Sequence, residues 1–389
     1  MRLSAKGPPP MTTTLEHPAT REQRSVRVAG LLDTTDDGPG TLRVRGGLPS
    51  PDDVRVPLSL IRRHGLRRGD AVEGDCDRPR VLTAVHRVGG AAPEALRGRP
   101  RFGDLTPVHP HERLRLETPR GGPAPRLLDL VAPVGKGQRG LIVAPPRTGK
   151  TVLLQQVAAS VAANHPEAHL MVVLLDERPE EVTDMRRSVR GEVYASTFDR
   201  PAKEHIALAE LAVERARRLV EQGRDVVVLL DSLTRLCRAH NNAARAGGRT
   251  LSGGVDAAAL AGPKKLFGAA RCAEEGGSLT ILATALVETG SRADDFFFEE
   301  LKSTGNMELR LDRSAADARI FPALDIARSG TRREELLFGR AELAAVRALH
   351  RALATQDGPA ALQVLLDKVR RTPDNAAFLR KVLPTVPDA

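Results

Sequence analysis

Residues 140–158 read GLIVAPPRTGKTVLLQQVA. An apolar run, GLIVA, meets a short Pro- and Gly-containing turn, then Gly149-Lys150-Thr151, then a stretch with helical spacing. A buried strand, a tight loop and a helix start in that order are the context a phosphate-binding loop requires. Backbone N–H groups and the helix N-terminus would hold phosphate oxygens there. Lys150 would reach the outer phosphates and Thr151 would ligate Mg²⁺. The usual pattern opens with Gly, whereas Ala144 occupies that place. A chance Gly-Lys-Thr at a helix start is the competing explanation, and the flanking pattern argues against it.

Working outward, HLMVVLL, DVVVLL and SLTILATAL are further apolar runs, separated by helical stretches such as 151–163 and 203–222. Runs of this kind read as strands buried on both faces, and their alternation with helices predicts a parallel sheet with crossover connections. Asp231 ends one such run, in DVVVLLDSLTR, and a carboxylate there can hold a Mg²⁺ shell. An aspartate at that position can also simply cap a helix. Glu177 ends another, in HLMVVLLDERPEEV, where ligands of such sheets bind. It is placed to polarise a water aimed at a γ-phosphate. The plainer alternative is an acidic helix start, since Pro179-Glu180-Glu181 suits one. Together the signals favour a nucleoside triphosphatase site that works with Mg²⁺.

Upstream, residues 26–88 carry short apolar runs broken by turn signals: VRVAGLL, TLRVRG, DDVRVPLSLI and LRRGDAVEGD. That spacing predicts a small all-β barrel. Residues 1–25 read as a flexible tail and residues 89–125, rich in Gly, Pro and Arg, as a linker. An ATPase domain is expected over 126–389, ending in short amphipathic helices. The fold class is therefore α/β: a parallel-sheet core preceded by a small barrel. The net charge is +10, which would draw a polyanion, although arginine bias alone would give the same sign. Cys76, Cys237 and Cys272 stand apart with no CxxC pair, so a zinc site and a disulfide frame are not supported. No apolar run is long enough for a membrane span and no signal-like segment occurs, so a cytoplasmic location with no membrane partner is expected.

The blocks APPRTGKT, LLDERPEEVTDM, GEVYASTFD, LLDSLTRL, LSGGVDAAAL, FGAARCAEEGGSLTILATAL, STGNMELRLDR and RSGTRREELL occur in that order between about Asp104 and Leu337. In this they closely resemble the Rho terminator family. The resemblance implies a RecA-like core and an oligonucleotide-binding, cold-shock-like barrel. It also implies a homohexameric ring with ATP between subunits, single-stranded RNA as partner, and contact, direct or indirect, with RNA polymerase. It makes Lys150, Thr151, Asp231 and Glu177 the phosphate, magnesium and water-activating residues, with Arg147, Thr148 and Gly149 completing the phosphate loop. Arg178 matches a gating arginine. Arg332 matches an arginine finger given by a neighbouring subunit, Arg319 another interface arginine, and Phe321 an aromatic that stacks on adenine. Arg147 replaces the family's usual lysine.

The same resemblance makes 243–254 (Arg245, Arg249, Thr250) and 288–294 (Arg292) loops that grip RNA in the ring's pore. On the barrel, Pro39 and Thr41 stand where phenylalanines are expected and Arg55 where an aromatic is common. No helical module is expected before the barrel. Arg43, Arg45 and Arg55 would then supply charge in place of base stacking, which is worth about 1–3 kcal/mol per base. Bicyclomycin binds this family, at positions matching Arg178, Asp231, Ser232 and Lys302. Ser303 replaces a Gly there, so steric tolerance to the drug is expected. Three functions follow as alternatives: a terminating RNA-dependent ATPase motor, a paralogue with weakened primary RNA binding acting as regulator or drug-tolerant stand-in, and a ring ATPase for protein export or rotation.

Overall fold

A computed structural model describes residues 25–35, 38–77, 80–244, 251–354, 356 and 358–382. Residues 1–24 of the tail expected over 1–25, and Arg245, Arg249 and Thr250, lie outside the described residues. Five strands close a barrel: β1 (Val26–Asp33), β2 (Gly40–Arg43), β3 (Val54–Val56), β4 (Ala71–Asp77) and β5 (Val81–Val88), in the order β1-β2-β3-β5-β4. The strands β2, β3 and β4 alternate between buried and more exposed residues. Along β4, Val72, Gly74 and Cys76 point in, while Glu73, Asp75 and Asp77 stay partly exposed. Leu32, Leu42, Val54, Val56 and Leu82 fill the interior.

The second unit is a nine-stranded sheet. Its strands are β6 (Pro107–Val108), β7 (Arg139–Ala144), β8 (His169–Glu177), β9 (Glu192–Thr197), β10 (Asp225–Asp231), β11 (Arg271–Ala273), β12 (Ser278–Leu286), β13 (Met307–Leu311) and β14 (Leu324–Thr331). The main order is β14-β13-β7-β12-β10-β8-β9, parallel from β13 to β9, with β14 antiparallel at one edge. The buried runs face two helical layers at once. Ile142 and Ala144 pack on one side of β7, and Leu141 and Val143 on the other. Loss of that much apolar surface from water on both faces is what drives the sheet to the centre. The C-terminal helices Arg340–Ala354, Gly358–Arg370 and Asn375–Val382 cover the first layer.

Residues 89–125 are more than a connecting linker. Phe102 and Leu105 are buried in one core layer, Leu114 and Leu116 in the other, and β6 adds to the sheet through β11. Buried Asp129 accepts the backbone N–H groups of Leu116 and Glu117 at 2.8–3.1 Å. Gly, Pro and Arg enrichment signals irregular backbone, which is what forms. It does not signal exposure, because a few apolar anchors suffice to pin such a segment.

A candidate ATPase site at the carboxyl ends of the strands

The phosphate loop leaves β7 at Ala144, which is still extended and buried. A Gly is therefore not needed there. The reversal is made downstream, where Arg147 and Gly149 adopt φ of 67° and 87°. The Thr148 hydroxyl donates to the Pro145 carbonyl at 2.8 Å and ties the loop across its base. The helix Lys150–Asn164 then starts, with its first N–H groups facing the loop.

Strand order does the rest. β12 lies between β7 and β10, and β8 lies beside β10, so Lys150, Asp231 and Glu177 converge at one end of the sheet. The Lys150 ammonium donates to Asp231 Oδ2, and the buried Thr284 hydroxyl donates to Asp231 Oδ1 at 2.8 Å. Thr151 Oγ donates to Glu181 at 3.3 Å. A bulge at Asp176, whose φ is 55°, shifts the β8–β9 register and turns Glu177 toward the site. Glu177 is only 3% exposed, and burial raises its pKa above the usual carboxylate value. Nearby Arg235 pulls the other way, with Nη1 2.9 Å from Glu177 Oε2 but poorly aligned for a hydrogen bond. Arg235 Nη1 also donates to the Asp176 carbonyl. A buried carboxylate with a raised pKa, next to phosphate-binding donors, suits a base that takes a proton from water.

Thr284 and Arg235 received no role from the sequence. A polar side chain inside the apolar run SLTILATAL was the available signal for Thr284. Arg235 shows itself only when β8 and β10 are laid side by side.

Arg147 and Arg178 are exposed at the mouth of the site. The Arg178 backbone N–H donates to Glu177 Oε1 at 3.2 Å, and its exposed side chain makes no hydrogen bond or ion pair among the described residues. Phe321 follows Arg319, which is exposed with φ of 61°, and its ring lies 3.6 Å from where a Cβ on Gly149 would stand. Phe321 and the loop face the same cavity of about 510 Å³.

Arg332 is elsewhere. It follows Thr331, which pairs with Met307, which pairs with Gly140 at the start of β7. The Arg332 backbone N–H donates to the Asn306 carbonyl at 2.9 Å. From Gly140 to Ala144 the strand alone covers about 13 Å. The side chain therefore sits at the opposite end of the sheet from its own phosphate loop. Lys302 lines the same groove as Arg332, so one chain does not bring Lys302 together with Asp231 and Ser232. Ser303 is exposed, and its hydroxyl donates to the Glu300 carbonyl at 3.0 Å. At this helix end the Ser303 side chain turns to solvent rather than lying against close-packed backbone.

Of the RNA-facing residues, Arg292 is exposed at the start of the helix Arg292–Lys302. Its backbone abuts Gly253, where an added methyl would come within 2.9 Å of the Arg292 carbonyl. The two expected pore loops thus touch at their described ends. On the barrel, Thr41 and Arg55 are register partners on the outer face. Arg43, on the same face, is held by Asp33 at 3.0 Å and Asp53 at 2.7 Å. Arg45 pairs with Asp52, which also pairs with Arg80 at 2.8 Å. Only Arg55 of the three expected barrel arginines stands outside such a pair among the described residues. The expectation that Arg43 offers free charge to phosphate is corrected by these carboxylates, which neutralise it in place.

Among the described residues no helix is long and apolar enough to cross a membrane, and no cluster of His, Cys, Asp and Glu could hold a metal ion by itself. Two family models match: the ATP synthase alpha/beta family nucleotide-binding domain over residues 125–331, and the Rho termination factor RNA-binding domain over residues 28–94. Among solved structures, a prototypical ATPase from the type III secretion system of pathogenic bacteria aligns with a TM-score of 0.62 at 22% identity, covering 80% of this chain and 94% of that one. The assembled ATPase EscN from enteropathogenic E. coli aligns with a TM-score of 0.60 at 18% identity, covering 92% and 95%. These likenesses concern the fold alone. Among curated relatives, transcription termination factor Rho of Streptosporangium roseum is 60% identical, with 92% of each chain covered. That of Streptomyces lividans is 57% identical, and this chain spans 52% of its length. Rho of Streptomyces coelicolor is 70% identical over 377 residues, 97% of this chain and 91% of that relative, and with both the barrel and the ATPase core matched this chain belongs to the transcription termination factor Rho family.

Proposed function

We propose that this chain hydrolyses ATP at sites shared between neighbouring copies of a homohexameric ring. That turnover moves the ring along single-stranded RNA and terminates transcription in the cytoplasm, with RNA polymerase engaged directly or through the transcript. The observation that carries this reading is the division of the site. Lys150, Thr151, Asp231 and Glu177 meet at the carboxyl end of the sheet, while Arg332 stands at the other end, away from its own phosphate loop, which supports a role toward a second copy's phosphates. In use, Lys150 leaves Asp231 for the phosphates, Glu177 takes a proton from the attacking water, and the neighbour's Arg332 steadies charge on the transferring group. The donors at that corner are oxygens, a hydroxyl and a carboxylate, the set a hard cation prefers, so these residues fit Mg²⁺. Thr151 and Asp231 would hold it, and it would supply shielding of phosphate charge.

ATPase rate with and without poly(C), measured on material sized by gel filtration, tests the proposal. A ring-sized particle whose turnover rises with poly(C) is expected. A monomer, or turnover indifferent to RNA, overturns it.

The barrel supports a second reading within the same family. With Pro39 and Thr41 in place of aromatics and Arg43 and Arg45 already paired, primary RNA loading is weak and the chain acts as a regulator or stand-in. The exposed mouth residues Arg147 and Arg178 and the shared groove at Lys302 leave a bicyclomycin site between subunits, formed by two copies. The export or rotary reading rests on fold likeness alone and explains neither the barrel nor the Rho match.

A further inference from the structure

We infer that Gln156 is the residue that reads the edge of the nucleotide base. This rests on the ATPase reading above. The cavity beside the phosphate loop has one polar end, made by Arg147, Thr148 and Gly149, and apolar walls. Beyond that end Gln156 is the one polar side chain on its lining. Thr148 is already committed to the Pro145 carbonyl. Among the described residues the Gln156 side chain makes no hydrogen bond, and it is partly exposed.

Helix geometry puts the amide where a base would end. Val152 and Gln156, four residues apart, share the helix face that looks into the cavity. Gln156 lies six residues past Lys150, about 9 Å further along the helix axis. A triphosphate anchored at Lys150 with its base on Phe321 therefore points the base away from the loop and along this face. A base edge buried against apolar walls must have its polar atoms met by something. A primary amide offers an acceptor and donors side by side, and adenine presents an amino donor beside a ring-nitrogen acceptor. The two match as a bidentate pair. Guanine presents two adjacent donors on its Watson–Crick edge, which a carboxylate would accept better than an amide does.

Two variants and one analogue test this on the full chain. Hydrolysis of ATP, GTP and the triphosphate of purine riboside, which lacks the 6-amino group, is compared as kcat/KM. The unmodified protein is expected to lose roughly tenfold on removal of the amino group, the scale of one lost hydrogen bond. Gln156→Leu is expected to treat ATP and the analogue alike. Gln156→Glu is expected to raise the GTP-to-ATP ratio of kcat/KM by about tenfold, a gain that misfolding cannot imitate. Equal use of ATP and the analogue by the unmodified protein, or an unchanged GTP-to-ATP ratio in Gln156→Glu, overturns the assignment of Gln156 and leaves the ATPase reading intact. No hydrolysis of any triphosphate by the unmodified protein overturns the ATPase reading itself.

Discussion

Replacing Glu177 by Gln isolates the proton-accepting step. The amide keeps the shape, and the phosphate contacts of Lys150 and the loop are untouched, so ATP binding should persist. What disappears is a base, and positioned acid–base groups contribute about 10²–10⁴ in rate, or roughly 3–5 kcal/mol of barrier. The structure argues for the upper part of that range, because a site with Glu177 3% exposed offers no bulk water to substitute as base. A secondary cost is the ion pair with Arg235 at 2.9 Å. Arg235 is partly exposed and keeps the Asp176 carbonyl, so the effect on stability should stay near 1 kcal/mol or below. Single-turnover hydrolysis with poly(C) present, beside a binding titration, separates the two effects. The pH profile adds a sign. Burial raises the Glu177 pKa, and only the ionised form accepts a proton. Turnover should therefore rise with pH through that raised value, above the usual range near about 4.3 for a glutamate. The Glu177→Gln variant should lose this acid limb. Hydrolysis within about threefold of the unmodified protein, or an acid limb that survives the substitution, would refute Glu177 as the base.

Arg332→Ala should be inactive alone, yet mixing it with Glu177→Gln should restore activity at interfaces where both native residues meet; no rescue in confirmed mixed rings counts against a shared site. Restoring aromatics on the barrel with Pro39→Phe and Thr41→Phe should tighten binding of short C-rich RNA by about tenfold or more and flatten its salt dependence. Tight, salt-insensitive binding by the unmodified protein would sink that account of the barrel. At the junction of barrel and core, Asp70 takes both Arg99 end-nitrogens at 2.7 and 2.6 Å, and both side chains are buried. Among the described residues Asp70→Ala leaves the Arg99 side chain with only Glu221, 3.6 Å away, so a stability loss of about 3 kcal/mol is expected in denaturant titration. A loss under about 1 kcal/mol would show that the pair contributes little.

The chain's order of strand, phosphate loop and helix, and the apolar runs ending in Glu177 and Asp231, were legible because local patterning carries them. Each rests on a period, a turn or a short spacing that neighbouring residues determine. The Rho-like blocks pointed to further candidates, Arg332 and Phe321 among them. Other features were beyond any local pattern. The neutralisation of Arg43 by Asp33 and Asp53 depends on how three barrel segments close. The contacts of Thr284 with Asp231 and Arg235 with Glu177 depend on β12 and β8 flanking β10, neighbours that are distant in sequence. The anchoring of residues 89–125 by Leu114 and Leu116 needed a core to receive them. Most of all, the distance of Arg332 from its own phosphate loop came only from register. β14 pairs antiparallel with β13 and returns the chain to the amino end of β7, and a side chain at that end cannot serve the loop at the other.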